Sequence, residues 1–206
     1  MNPTQHSLDI TRDISTKINN LTFHHHYHII YDVLNSYNES NIVNYVEIGC
    51  YGGGSACLAL QRPNTNVISI DLGDPIPKNI VIENTTKLNI HNNKYTYLQG
   101  NSQTYEMVNQ LKHEIDNIDL LFIDGDHFYQ GVINDFMLYH DLVNTGGYIL
   151  FDDYNDAEHS PEVKLAVDDI IKSHLDAYEI IGTLPNTLGA RPEEMQSGNV
   201  FILQKL

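Results

Sequence analysis

The stretch LLFIDGDHFYQG, residues 120–131, carries an apolar run from Leu120 to Ile123 straight into Asp124, Gly125, Asp126 and His127. A second run, YILFDDY (148–154), ends the same way in Asp152 and Asp153. Apolar runs without alternation read as strands buried on both faces, so these acids stand at strand ends. If the two strands are parallel neighbours joined by a right-handed crossover, their ends lie about 4.8 Å apart. Asp124, Asp152 and Asp153 then converge, and carboxylates that close raise one another's pKa. A divalent cation relieves the conflict. Oxygen ligands without cysteine suit Mg²⁺ better than Zn²⁺. Asp126 and His127, beside that point, are the groups placed to take a proton.

A second group lies upstream. In VEIGCYGGGSA (46–56), four glycines let the backbone turn tightly and approach a ligand, and a helix beginning near Ser55 offers free N–H groups to an anion. Glu47 stands just before the turn. Asp71, closing NVISIDLGD, sits where an acid accepts both hydroxyls of a ribose. The glycine spacing is E-x-G-x-x-x-G, not the G-x-G-x-x-G of a dinucleotide site.

These residues need a scaffold that gathers strand ends. Strands are expected at 44–50, 66–74, 94–103, 118–126 and 148–154, the last entered by a turn at Gly146-Gly147. Helices are expected at 55–61, 78–92, 104–115, 128–143 and 161–175. Two closing strands, 177–185 and 198–206, have no helix between them and pair antiparallel. Residues 1–40 read as helical, with Phe23, Tyr27, Ile30 and Leu34 forming an apolar stripe. Strand alternating with helix predicts an α/β fold of three layers: a mostly parallel seven-stranded sheet, helices on both faces, and an antiparallel C-terminal hairpin. One domain, 1–206, accommodates it, divided into a helical cap (1–40) and a core (44–206).

Composition narrows the function. The formal net charge is −16 with three arginines, a field that repels phosphate backbones, so neither nucleic acid nor a membrane is an expected partner. No apolar run approaches the roughly 20 residues of a membrane helix. The first residues lack the pattern of a secretory signal, so a cytoplasmic location is expected. Cys50 and Cys57 are too few for a disulfide framework and read as packed thiols.

YVEIGCYGGGSA and VISIDLGD resemble the first two motifs of class I S-adenosylmethionine-dependent methyltransferases, close to the catechol O-methyltransferases at Tyr51 and Ser55. GNSQ (100–103) resembles that family's adenine-contacting loop. FIDGDHFYQGVINDF and GGYILFDDY resemble the metal-dependent O-methyltransferases of the macrocin and novobiocin sugar type, and the related cephalosporin-hydroxylase-like group. The likeness covers residues 44–155. It implies a Rossmann-like methyltransferase fold, and a cofactor site lined by Glu47, Gly49, Tyr51, Gly53, Ser55, Asp71, Asn101, Ser102, Gln103 and Asp124. It assigns the metal to Asp124, Asp152 and Asp153, and the base to Asp126. It also places the N-terminal helices over the acceptor pocket and suggests a homodimer through them.

The expected activity is therefore transfer of a methyl group from S-adenosylmethionine to a hydroxyl of a small molecule, with Mg²⁺ or another divalent cation. Catechol-type enzymes use a lysine just downstream of the His127 position. Here Phe128 and Tyr129 follow, and the next lysine is Lys164, which favours a sugar or glycosylated metabolite over a catechol or phenol. Candidate acceptor contacts are His24, His28, Tyr129 and Arg191. The run HHHYH (24–28) otherwise reads as a polar flank of the Tyr27 stripe. A nicotinamide-dependent oxidoreductase and a non-catalytic cofactor-binding protein are the alternatives.

Overall fold

The computed structural model describes residues 4–18, 25–183 and 199–206. Seven strands form one sheet: β1 (Val43–Ile48), β2 (Thr65–Asp71), β3 (Tyr95–Gln99), β4 (Ile118–Ile123), β5 (Val143–Phe151), β6 (Tyr178–Thr183) and β7 (Phe201–Lys205). Their order is β3-β2-β1-β4-β5-β7-β6. The first five run parallel, while β7 lies antiparallel between β5 and β6. Strand order reverses between β1 and β4, the place where open α/β sheets bind ligands.

The helices are α1 (Gln5–Lys17), α2 (His28–Leu34), α3 (Gly54–Ala59), α4 (Lys78–Leu88), α5 (Tyr105–Glu114), α6 (Tyr129–Tyr139) and α7 (Val163–Ser173). The unbroken apolar runs have a clear cause. Leu120 and Phe122 of β4 pack with Ile30, Leu34 and Leu58 of α2 and α3. Leu121 and Ile123 point the other way and pack with Leu111, Phe136 and Val167 of α5, α6 and α7. Both sheet faces are dry, so both side-chain sets must be apolar. Of the expected stripe, Tyr27, Ile30 and Leu34 are buried, and Phe23 lies outside the described residues.

Most elements are shorter than the sequence reading, and three boundaries have local causes or consequences. The helix begun at Lys78 ends at Leu88. The fifth strand starts at Val143, before the glycine pair. Its register slips there, since Ile118 pairs with Val143 but Leu120 with Tyr148. Gly146-Gly147 is thus an irregularity within the strand, where a side chain on Gly147 would meet the Asp119 carbonyl at 3.0 Å. The strand stops at Phe151 because Asp153 turns the chain with φ +57°.

Register aligns the strand ends. Ile48 lies opposite Ile123, and Ile123 opposite Phe151. Asp124 N donates to the Ile48 carbonyl at 2.9 Å, and Asp152 N donates to the Ile123 carbonyl at 3.0 Å. The residues after β1, β4 and β5 therefore leave the sheet side by side.

Candidate active site

Beyond these ends lies a cavity of about 740 Å³. Its wall includes Gly49 and Tyr51 after β1, Asp71 and Asp74 after β2, the 100–103 loop after β3, and residues 124–127 after β4. Of the residues expected from sequence, Gly49, Tyr51, Asp71, Asn101, Ser102, Gln103, Asp124, Asp126 and His127 all meet there.

The turn after β1 is built around Asp71. Its Oδ2 accepts from Cys50 N at 2.9 Å and Tyr51 N at 3.2 Å, and its Oδ1 accepts from Gly73 N at 2.6 Å. Gly49 has φ +79°, and a Cβ there would lie 2.0 Å from the Asp124 carbonyl oxygen. Only glycine allows β1 and β4 to leave the sheet so close together. Gly53, with φ +84°, caps α3.

Glu47 and Ser55 lie beneath the turn, outside the cavity wall. Glu47 is fully buried and accepts from Tyr45 Oη at 2.8 Å and from Ser55 Oγ and Ser69 Oγ at 2.5 Å each. Burial raises its pKa to about 7, against the pull of those three donors. The sequence placed both residues with the cofactor. In the structure they form a hydroxyl-lined support under the loop that borders the cavity.

At the ends of β4 and β5, Asp124, His127 and Asp153 bring one ligand atom each to within 4.8 Å of one another. His127 Nε2 lies 3.5 Å from Asp124 Oδ1, and Nδ1 lies 3.4 Å from Asp153 Oδ2. Ser160 Oγ donates to Asp153 Oδ2 at 3.0 Å and lies 2.9 Å from His127 Nδ1. Burial, and then the charge of Asp152, push the Asp124 and Asp153 carboxyls above their usual range. The hydrogen bond to Asp124 raises His127 to about 9. Without a metal, protonated His127 balances the two acids; once it gives up its proton, their two oxygens with an imidazole nitrogen fit a divalent cation.

Asp152 departs from the expected trio. It is buried, and its carboxylate faces His26, with Nε2 at 2.8 Å from Oδ1 and 3.0 Å from Oδ2. Its Oδ1 also accepts from Asp153 N at 2.8 Å. His127 joins Asp124 and Asp153 instead. Asp126 holds its own place: Oδ1 accepts from Phe128 N at 3.1 Å and Oδ2 from Gln103 Nε2 at 3.2 Å.

The expected acceptor contacts fare differently. His24 and Arg191 lie outside the described residues. His28 is buried in α2. Tyr129 turns away from the cavity, its hydroxyl donating to Asp169 Oδ2 at 3.0 Å. Sequence reasoning missed Tyr27, which lines the cavity and stands edge-on to Phe122. It also missed His26 and Asp135. Asp135 accepts from Ser102 Oγ at 2.7 Å, and burial raises its pKa to about 7. Its signal, one acid in the apolar face of α6, was readable in VINDF.

A family described as a methyltransferase domain matches residues 46–154. An uncharacterized protein of Acanthamoeba polyphaga mimivirus is 40% identical over 195 residues, covering 89% of this chain and 88% of its own. Among solved structures, an O-methyltransferase from Bacillus cereus in complex with SAH superposes with a TM-score of 0.63 at 15% identity, over 99% of this chain and 92% of its own. The O-methyltransferase NovP superposes with a TM-score of 0.62 at 15% identity, over 97% and 96%. MycE, from the mycinamycin biosynthetic pathway and in complex with Mg, SAH and mycinamycin VI, gives 0.63 at 18%, over 97% of this chain and 54% of its own.

Proposed function

The chain belongs to the methyltransferase domain family, and we propose on that premise that it is an S-adenosylmethionine-dependent O-methyltransferase assisted by a divalent cation. Its acceptor is a hydroxyl of a small molecule, by preference a sugar or glycosylated metabolite. One observation carries the reading. Asp124 and His127 stand on the wall of the same cavity that the Gly49 turn and Asp71 open into, and Asp153 gathers with them just behind it. A methyl donor seated on that turn and an acceptor hydroxyl beside those acids share one space.

In this reading Asp71 takes the ribose hydroxyls, and Asn101, Ser102 and Gln103 flank the adenine. Asp124 and Asp153 hold the cation, with His127 and Asp152 as their neighbours. A bound cation supplies a lower pKa to the acceptor hydroxyl. Asp126, in the cavity wall, accepts the proton that the hydroxyl gives up. His26 and Tyr27 extend the cap to the site, which supports the assignment of residues 1–40 to the acceptor side. The described wall carries Asp71, Asp74, Asp124 and Asp126 but no lysine or arginine, which favours an uncharged acceptor over a phosphorylated one. Lys164 donates to Tyr154 Oη at 2.5 Å, away from that wall, so nothing supports a catechol-type lysine. The complex of MycE with Mg, SAH and mycinamycin VI supports a cation and a small-molecule acceptor. The family match answers the nicotinamide alternative.

The test combines calorimetry with S-adenosylhomocysteine and methyl transfer from labelled S-adenosylmethionine to a panel of glycosides, free sugars and catechol. Binding without metal, and transfer to a glycoside that stops with EDTA and returns with Mg²⁺, support the proposal. Transfer indifferent to EDTA removes the cation from it.

A further inference from the structure

Asp126 is fixed from three directions. Phe128 N and Gln103 Nε2 each donate to one of its oxygens. Behind it, Gly131 of α6 leaves the necessary room, since a Cβ there would lie 2.3 Å from Asp126 Cγ. The Gln103 contact depends on which way that amide faces, and Asp126, a carboxylate that can only accept, decides it. Gln103 Oε1 accepts from Asn134 Nδ2 at 3.1 Å, leaving Nε2 for Asp126. Asn134 is oriented in turn, because its Oδ1 accepts from Gln130 Nε2 at 2.8 Å. Gln130 and Asn134 stand four residues apart on α6, the spacing at which helical side chains meet. Each primary amide has one acceptor and one donor end, so fixing one fixes the next.

We propose that Gln130, Asn134 and Gln103 form a directed chain of amides that positions Asp126, delivering an N–H donor to its Oδ2 from outside the cavity. With the polarity reversed, Gln103 Oε1 would face the carboxylate, acceptor against acceptor. Donor chains of this kind strengthen along their length. Gln103 lines the cavity, whereas Gln130 and Asn134 do not. They are positioning residues that act through Gln103. The inference rests on the reading above only in naming Asp126 as the proton acceptor. The chain itself is tested without turnover, so failure of one leaves the other standing.

The experiment uses ¹⁵N-labelled full-length protein and follows the side-chain amide of Gln103 and the backbone amide of Phe128. Asn134→Ala should move the Gln103 pair upfield, toward a solvent-exposed amide, as should Asp126→Ala. It should also shift Phe128, which bonds Asp126 and not Asn134. Gln130→Ala, on the exposed side of α6, should give a smaller shift in the same sense and stands in should Asn134→Ala fold poorly. Affinity for S-adenosylhomocysteine should change by less than about twofold. Unmoved Gln103 and Phe128 signals in a folded Asn134→Ala protein would overturn the proposal. So would a loss of about tenfold in that affinity with Phe128 unmoved, which would assign the amides to the cofactor.

Discussion

His26 and Asp152 lie 126 positions apart in the chain, yet His26 Nε2 stands within 3.0 Å of both Asp152 carboxylate oxygens in a buried setting. Burial lowers the His26 pKa, but the charge and hydrogen bond of Asp152, with the charges of Asp153 and Asp124, outweigh it, and the net shift is upward. The pair ties the N-terminal segment to the end of β5. Removing one partner of a buried ionic pair strands the other. His26→Ala should cost about 3–5 kcal/mol in metal-free urea unfolding. An unchanged midpoint would refute this role.

The pH dependence of the metal-free protein follows from the same cluster. His127 is raised from 6.5 to about 9, so the stability it contributes is complete below pH 6.5 and is lost as pH rises through about 9. Asp124 and Asp153 are also raised, chiefly by burial. The folded state then holds protons that the unfolded state has released, and stability again falls as pH rises. The melting temperature in EDTA should therefore drop between pH 6.5 and 9, and saturating Mg²⁺ or Mn²⁺ should flatten the slope. A rise over that interval without metal would contradict the assigned shifts.

Asp126→Asn keeps the size and the Phe128 contact but cannot accept a proton. Turnover should fall by about 10²–10⁴-fold, while calorimetric affinity for S-adenosylhomocysteine is retained. Full activity in this variant would move the base elsewhere.

Gly131→Ala separates position from stability. Alanine favours a helix by about 1 kcal/mol over glycine, yet its methyl would intrude on Asp126 at 2.3 Å. The variant should melt within a few degrees of the parent and lose turnover by roughly 100-fold, the scale of a 1 Å misplacement. Retained turnover would show that Asp126 has freedom the structure denies it.

Glu47→Gln should destabilise the fold by about 1–3 kcal/mol, because an amide nitrogen cannot accept from the hydroxyls that now reach a carboxylate oxygen. Thermal unfolding reads this directly. Cofactor affinity should follow stability, since Glu47 lies under the turn and not in the cavity wall. Lost affinity with unchanged stability would restore the direct contact that the motif suggested.

The strands were legible because both faces of the sheet are dry, which writes them as uninterrupted apolar runs. The acids were legible because parallel strands end together, so Asp124 and the Asp152-Asp153 pair had to be neighbours. Which acid faces which partner was not legible. That choice depends on the left-handed turn at Asp153 and on His26 arriving from a distant segment. Neither leaves a local pattern in the sequence. Tyr27 read as core and is core, but one side of it also closes the cavity. Gln130 and Asn134 of α6 leave no signal in the sequence, because their meaning lies in the order of donors and acceptors. Glu47 and Ser55 carried the right motif and a supporting role, since spacing along the chain cannot tell a loop's lining from its underside.

Methyl donor and cation share one cavity in the proposed enzyme, and their proximity can be measured without knowing the acceptor. S-adenosylmethionine carrying a ¹³C methyl group should bind the protein and give a sharp signal in EDTA. Added Mn²⁺ should broaden that signal strongly in the parent, through paramagnetic proximity, and should fail to do so in Asp124→Asn combined with Asp153→Asn. A methyl signal that stays sharp on the parent protein at saturating Mn²⁺ would place the two apart and contradict the account.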